Sequence, residues 1–367
     1  MVLSCPPRYA GCMHNILGVN RLLETLPATR CGILKLNVMK YKKRRFVPGE
    51  CMHVYQRSVG GFNIFYDLED YLVFYTIFSI VAKQYNLAVM ELCIMLDHVH
   101  ILLSSMHLDE ISAFIMHYTS MFVREYNTDV GRKGALFHKS YGSAPKRGSK
   151  SIRTTIVYIG NNPVEKGMCC EAEQYYWNFL RFYNEASSDR IPVRRLSRKL
   201  QALFREVAEM REKSAYLGYS RLRRMFKKLD QMEKQLLINH IVREYFPFDI
   251  QALLSYYESY DAMLHAMHST SGAEYDIKEH YSPESNRVYD DMAKVVRASF
   301  SETGHGAQIR KVTMLPEEEK FMIAQKLQKY TSASVRQIEK FLNMSFLKAC
   351  SGRMQTEEVE NDKRCFV

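Results

Sequence analysis

The sequence predicts an α+β fold, a small antiparallel sheet with helices followed by an all-α C-terminal region. Three observations carry this. Residues 51–162 alternate between strand-like and helix-like patterning in the order β-α-β-β-α-β-α. Beyond about Arg190 strand signals stop and helical periodicity takes over. A composition of 47% hydrophobic and 25% charged residues over 367 residues is that of a globular protein, with two or three domains as the prior.

Taken in order, residues 51–59 (CMHVYQRSV) alternate as a strand does, and 60–63 carry the glycines of a turn. Residues 67–86 predict a helix rich in aromatics. The apolar runs 88–96 and 98–104, broken near Leu96-Asp97, predict a hairpin. A second amphipathic helix is expected over 109–126 with Asp109 as its N-cap. A short strand is expected over 134–141. A helix over 150–162 should end at Pro163, because a residue preceding proline disfavours the α region. The helices are expected on one face of the sheet. Farther on, 196–230, 231–270 and 285–300 read as helical, with linkers at 269–272 and 301–306. Residues 316–330 begin with proline and three acids, which suits a helix N-terminus. With 334–342 and an apolar segment from Phe346 they form a helix-turn-helix pattern, in which Arg336, Gln337 and Lys340 are residue types that contact DNA. A generic three-helix packing motif explains the same pattern.

The expected organisation is therefore an extension (1–38), an α+β domain (39–188), a basic then mixed helical region (189–300), the segment with the helix-turn-helix pattern (301–350) and a tail (351–367). No run reaches the 18 to 20 apolar residues that span a bilayer, and residues 1–8 lack the pattern of a secretory signal. Nine scattered cysteines suit a reducing compartment, so a cytoplasmic protein is expected.

The net charge of +11 is concentrated. Residues 40–45 carry +5. Residues 131–155 hold Arg132, Lys133, Lys139, Lys146, Arg147, Lys150 and Arg153 without one acid. Residues 191–230 carry +8, which leaves −9 for the remainder. Three basic blocks on an otherwise acidic chain point to a polyanionic partner, nucleic acid ahead of membrane.

The chemistry centres on Asp97-His98-Val99-His100. In a strand, residues i and i+2 share a face, so both imidazoles project together and suit one divalent cation. Tyr158 and Asn162 are i, i+4 on a helix, where a hydroxyl nucleophile and an amide oxygen ligand would sit side by side, although the spacing alone equally suits one of twenty-four tyrosines half-buried on an amphipathic helix. His265 and His268, i, i+3 on a helix without supporting carboxylates in the pattern, read as structural.

These motifs together resemble a known family. His98-Val99-His100 preceded by Cys93-Ile-Met-Leu-Asp97, and Tyr158-Ile-x-x-Asn162-Pro163-Val164-x-x-Gly167 downstream, are similar to the single-tyrosine HUH transposases, most of all the branch of REP-associated tyrosine transposases. His53-Val-Tyr-Gln-Arg57, Ile64-Phe65, Asp70-Tyr71, Gly134-x-Leu136-Phe137, Tyr141 and Tyr176-Trp177-Asn178 follow in the family's order over 48–185. The resemblance implies an HUH endonuclease sandwich (ferredoxin-like, RRM-like) with the histidine strand central. It implies a transposase that cleaves single-stranded DNA beside a hairpin through Tyr158, leaving a 5′-phosphotyrosine. It also implies Mg²⁺ or Mn²⁺ on His98, His100 and Asn162, REP-like inverted repeats as partner DNA, and a homodimer in some members. The seven basic residues of 131–155 would then hold phosphates, Phe137 and Tyr141 would stack bases, and 191–230 would extend the DNA path. The competing reading is a non-catalytic DNA-binding or regulatory protein that keeps the fold; a metal-dependent hydrolytic nuclease with an idle tyrosine is a third.

Overall fold

The computed structural model describes residues 44–184, 196–270, 286–303 and 308–346. The extension, most of the 40–45 block and the segment beyond Phe346 lie outside them.

The chain opens with strand β1 (Cys51–Arg57), helix α1 (Leu68–Ala82), strands β2 (Leu87–Ile94) and β3 (His98–Ser105), helix α2 (Leu108–Val130), strand β4 (Gly142–Lys146) and helix α3 (Gly148–Glu165). The sheet is antiparallel in the order β2-β3-β1-β4, with β3 in its interior. The predicted α+β class holds.

Four local expectations are corrected. Helix α2 begins at Leu108 behind His107, so Asp109 is a first-turn acid and not the cap. There it complements the positive helix end together with Glu110, whose carboxylate accepts from Ser105 Oγ. The strand expected at 134–141 is displaced to Gly142–Lys146. Only Phe137 makes a bridge, to Ser58. The real strand, GSAPK, is a half-buried edge strand where proline costs no ladder bond and apolar alternation is not needed. Pro163 does not end α3. It sits inside the last turn of the helix. The helix closes instead at Gly167, whose φ of +70° lets its N–H bond to the Val164 carbonyl while the Met168 N–H bonds to that of Pro163. Finally, helices cover both faces of the sheet. Gln56 accepts from Tyr118 of α2 on one face, while the neighbouring positions Tyr55 and His100 belong to the face under α3.

The helical region comprises α4 (Arg198–Glu212), α5 (Tyr219–Phe226), α6 (Gln231–Glu244), the short α7 (Ile250–Leu254), α8 (Tyr260–His268), α9 (Asn286–Thr303), α10 (Glu317–Tyr330) and α11 (Val335–Leu342). Residues 301–303, expected as linker, are the last turn of α9. One apolar core runs from the sheet into α4 to α8, and a second gathers α9 to α11 around Tyr66. Helix α1 is buried on all sides, which explains its nearly uniform apolar sequence.

An ion cluster ties the helical region to α1 and α2. The Arg310 side chain, 2% exposed, donates to Asp70 Oδ1 (2.6 Å) and to Asp129, and lies 3.9 Å over the Tyr219 ring. Tyr219 donates to the same Asp70 oxygen, and Arg223 joins Asp129. Buried charges are costly unless paired, and removing one partner strands the others. Arg310→Met should destabilise the protein by about 3–5 kcal/mol in urea unfolding; a loss below 1 kcal/mol would show the cluster to be expendable.

Glu91 is fully buried on β2, and neither carboxyl oxygen has a hydrogen-bond partner among the described residues. Burial raises its pKa well above the ordinary 4.5, so the folded chain holds a proton there that the unfolded chain releases. Stability from this group is complete below the unfolded value and is lost as pH rises through the folded one. Glu91→Gln should flatten the fall in melting temperature between pH 5 and pH 9. An unaltered slope counts against a protonated Glu91.

Candidate active site

The pairing of β1 with β3 builds the site. Tyr55 lies opposite His100 and Arg57 opposite His98, so His53, Tyr55, His98 and His100 share the face that α3 covers. A Cβ at Gly142 would stand 2.0 Å from the Tyr55 ring, so β4 needs glycine where it passes under that ring.

His98 and His100 come together as the i, i+2 spacing predicts, their rings perpendicular with centroids 4.9 Å apart. Both are buried. Each has its Nδ1 engaged by a side chain that the spacing argument did not identify. Asp97 Oδ1 accepts from His98 Nδ1 at 2.5 Å. His53 Nε2 lies 3.0 Å from His100 Nδ1. Nε2 of His100, buried, has no hydrogen-bond partner among the described residues. Burial, reinforced by His98, His53, Lys166 and Arg57, holds His100 well below the usual imidazole range. Burial and Lys146 lower His53 to about 3. Both rings are therefore neutral at physiological pH, the form in which imidazole binds a metal.

Tyr158, 1% exposed, presents its ring edge-on to His100 (5.5 Å between centroids) and to His53 (5.7 Å). Asn162, one turn on, is fully buried in the same helix. Helix α8 presses on the opposite side of α3 at Gly160, where a Cβ would meet the Met267 terminus at 2.6 Å. Asn161 fixes this contact by donating to the Met267 carbonyl.

Asp97 is the charged junction beneath the site. Burial alone would raise its pKa, but His98, Lys166 and Lys340 outweigh it and hold the carboxyl well below its usual range. Lys340 Nζ stands 3.0 Å from Oδ2, and buried Lys166 stands 3.8 Å from Oδ1.

The basic positions divide. Lys133, Lys139, Arg147, Lys150 and Arg153 are exposed, while Lys146 is half-buried on β4. Arg132 instead braces its own loop, donating to Asn127 and to the Ala135 carbonyl. Lys150 and Arg153 line an open cleft of about 380 Å³ with Thr154, Tyr257 and Thr270. Of the expected base-stacking residues, Phe137 is buried among Phe74 and Phe122 and is a core residue. Tyr141 is half-buried, with Arg44 3.8 Å over its ring. In the 191–230 block, Arg221 and Arg224 pair with Glu206, and Arg223 with Asp129, so part of that charge is balanced internally.

In α11, Arg336 is exposed, but the Gln337 carboxamide accepts from the Ser334 N–H in a capping box. Lys340, expected to face DNA, is turned onto Asp97. His268 pairs with Glu173 at 3.0 Å and, with Glu171, forms a surface cluster whose ligand atoms lie within 4.8 Å of one another. The Asp-His adjacency and the same-face alternation of β1 were available signals for Asp97 and His53. No local signal marks Lys166 or Lys340.

Residues 63–162 match the family model described as "Transposase IS200 like". Over that segment the chain is similar to the IS200-like transposases. The matched segment holds His98, His100, Tyr158 and Asn162 and excludes His53 and all of the helical region. The resemblance seen in the sequence is thereby borne out, and with it a transposase-like role in processing DNA. Among solved structures, that of a REP-associated tyrosine transposase bound to a REP hairpin is similar at 16% identity and a TM-score of 0.34, covering 42% of this chain and 89% of that one. A search of curated proteins found no match. Among the described residues, no helix is long and apolar enough to cross a membrane.

Proposed function

We propose that the protein is a metal-dependent endonuclease and strand transferase for single-stranded DNA, with Tyr158 as nucleophile and a DNA hairpin beside the cleaved bond. The observation that carries this reading is the packing of the Tyr158 ring against His100, in a site where both candidate ligand histidines are held at Nδ1.

The residues present suit a divalent cation such as Mg²⁺ or Mn²⁺. With their Nδ1 atoms engaged, His98 and His100 have Nε2 as the ligating atom, and the orphaned Nε2 of His100 is a buried group that an ion would satisfy. The Asn162 amide is the third candidate ligand. When bound, such an ion polarises a phosphodiester and offsets charge on its non-bridging oxygens.

The remaining steps belong to the chain itself. The phenolic oxygen of Tyr158 attacks phosphorus and loses its proton, while the bond from phosphorus to the 3′ oxygen breaks. That oxygen leaves as a free 3′-hydroxyl after taking up a proton, and the phosphate remains on Tyr158 as a 5′-phosphotyrosine. Attack by a second strand's 3′-hydroxyl reverses these bonds and releases the tyrosine. Asp97 and His53 engage the two imidazoles at Nδ1, which leaves Nε2 of each for the cation. The exposed cations Lys139, Arg147, Lys150 and Arg153 flank the start of α3 and suit phosphates on either side of the scissile bond.

Tyr158→Phe should abolish a covalent protein–oligonucleotide adduct on denaturing gels while leaving DNA binding within about twofold, since only the hydroxyl is lost. An adduct that survives would refute the assignment; wild-type binding with no adduct and no cleavage would favour the non-catalytic reading. Replacing Lys139, Arg147, Lys150 and Arg153 with Gln should also reduce the slope of log affinity against log salt by up to about 3, at about 0.7 per phosphate contact on a single strand. An unchanged slope would place the DNA elsewhere.

A further inference from the structure

Helix α11 lies outside the segment shared with the IS200-like transposases, yet it reaches the base of the histidine site. Its anchoring is specific. The Asn63 N–H donates to the Lys340 carbonyl (3.1 Å), and the Tyr66 hydroxyl donates to the Phe341 carbonyl (2.7 Å). The rings of Tyr66 and Phe341 pack edge to face, and Tyr289 of α9 donates to the Tyr66 carbonyl. The gripped segment is itself tied to the hairpin, since the N–H groups of Ile64 and Phe65 both bond to the Leu96 carbonyl. Leu96 immediately precedes Asp97. The residual space among Asn63, Leu96, Tyr289, Met292 and Lys340 is about 10 Å³, at the limit for a single water.

The Asp97 carboxylate is thus fixed at both oxygens, Oδ1 by His98 and Oδ2 by Lys340. A carboxylate held at one oxygen only is free to rotate away from the imidazole it orients.

We infer that Lys340 is a positioning residue for His98: acting through Asp97, the C-terminal helices complete the cation site of the catalytic sheet. This rests on the reading that His98 and His100 bind a divalent metal. Charge alone predicts the opposite sign, because a nearby ammonium repels a cation and its removal should tighten binding. If positioning dominates, removal weakens it. The sign of the effect therefore separates the two.

The test is Mn²⁺ affinity of the full chain by electron paramagnetic resonance, without DNA and without turnover. Lys340→Met should bind Mn²⁺ on the order of tenfold more weakly, as when other outer partners of metal ligands are removed. Lys340→Arg, which keeps a charged donor, should recover most of the loss. The ¹⁵N imidazole signals of His98 should shift in the Met variant and hold in the Arg variant, which a merely structural loss would not reproduce. If Lys340→Met does not fold, Lys340→Gln is read in its place. Equal or tighter Mn²⁺ binding in the neutral variant overturns the inference while leaving the metal reading intact, provided that His100→Ala abolishes binding. Wild-type protein with no His100-dependent Mn²⁺ binding overturns both.

Discussion

A single constraint organises the molecule: three imidazoles, a carboxylate and a lysine are buried on one face of a four-stranded sheet and must be satisfied largely by one another. Polar groups without water need partners, or they cost several kcal/mol each. His53 meets His100, and Asp97 meets His98, Lys166 and Lys340. Those pairings fix the register of β1 against β3, because a slip of one residue would turn His53 to the other face. They also explain why α3 lies where it does. Tyr158 packs against the His53 and His100 rings, and Gly160 on the far side of the helix admits α8 to close contact.

The C-terminal helices follow from the same constraint. Asp97, at the turn into β3, takes one of its two ammonium partners, Lys340, from α11. Helices α9 to α11 cover it, and the Arg310 cluster fastens that cover to the ends of α1 and α2. The basic residues of the chain accordingly serve two purposes. Arg310, Arg223 and Lys340 are spent inside the fold, whereas Lys139, Arg147, Lys150 and Arg153 remain at the surface before and along α3.

Much of the sheet was legible because its signals are local. Alternation gave β1, the hairpin of β2 and β3 was bounded by Leu96-Asp97, and the i, i+2 spacing placed His98 and His100 on one face. The misses have physical causes. Strand β4 lies at an edge and carries no apolar pattern, so periodicity pointed instead to Phe137, whose apolar character reflects burial beneath α1 and α2. Pro163 suggests a terminator, whereas the stop belongs to Gly167, whose positive φ the sequence alone does not reveal. Lys340 reaches Asp97 across 243 positions of sequence, a pairing that only tertiary packing decides. The same holds for Arg310 with Asp70, 240 positions apart.

The charge balance of the site carries a consequence for the proposed activity. Burial keeps His53 and His100 neutral, so around Asp97 one carboxylate faces two ammonium groups. The pocket leans positive before any cation enters, which would weaken a divalent ion held by imidazoles and an amide alone. A phosphodiester reverses that balance, since its negative oxygens are attracted by the ion and by Lys166 and Lys340 together. Coulomb energies at a few ångströms in a partly buried site amount to a few kcal/mol, enough to make the two ligands strongly interdependent. By linkage the dependence is mutual: DNA that binds more tightly with metal present must tighten the metal by the same factor. The proposed metal site, electropositive and with no protein carboxylate among its candidate ligands, would thus suit a polyanionic substrate, and the excess of basic residues in the sequence extends the same logic to the surface around α3.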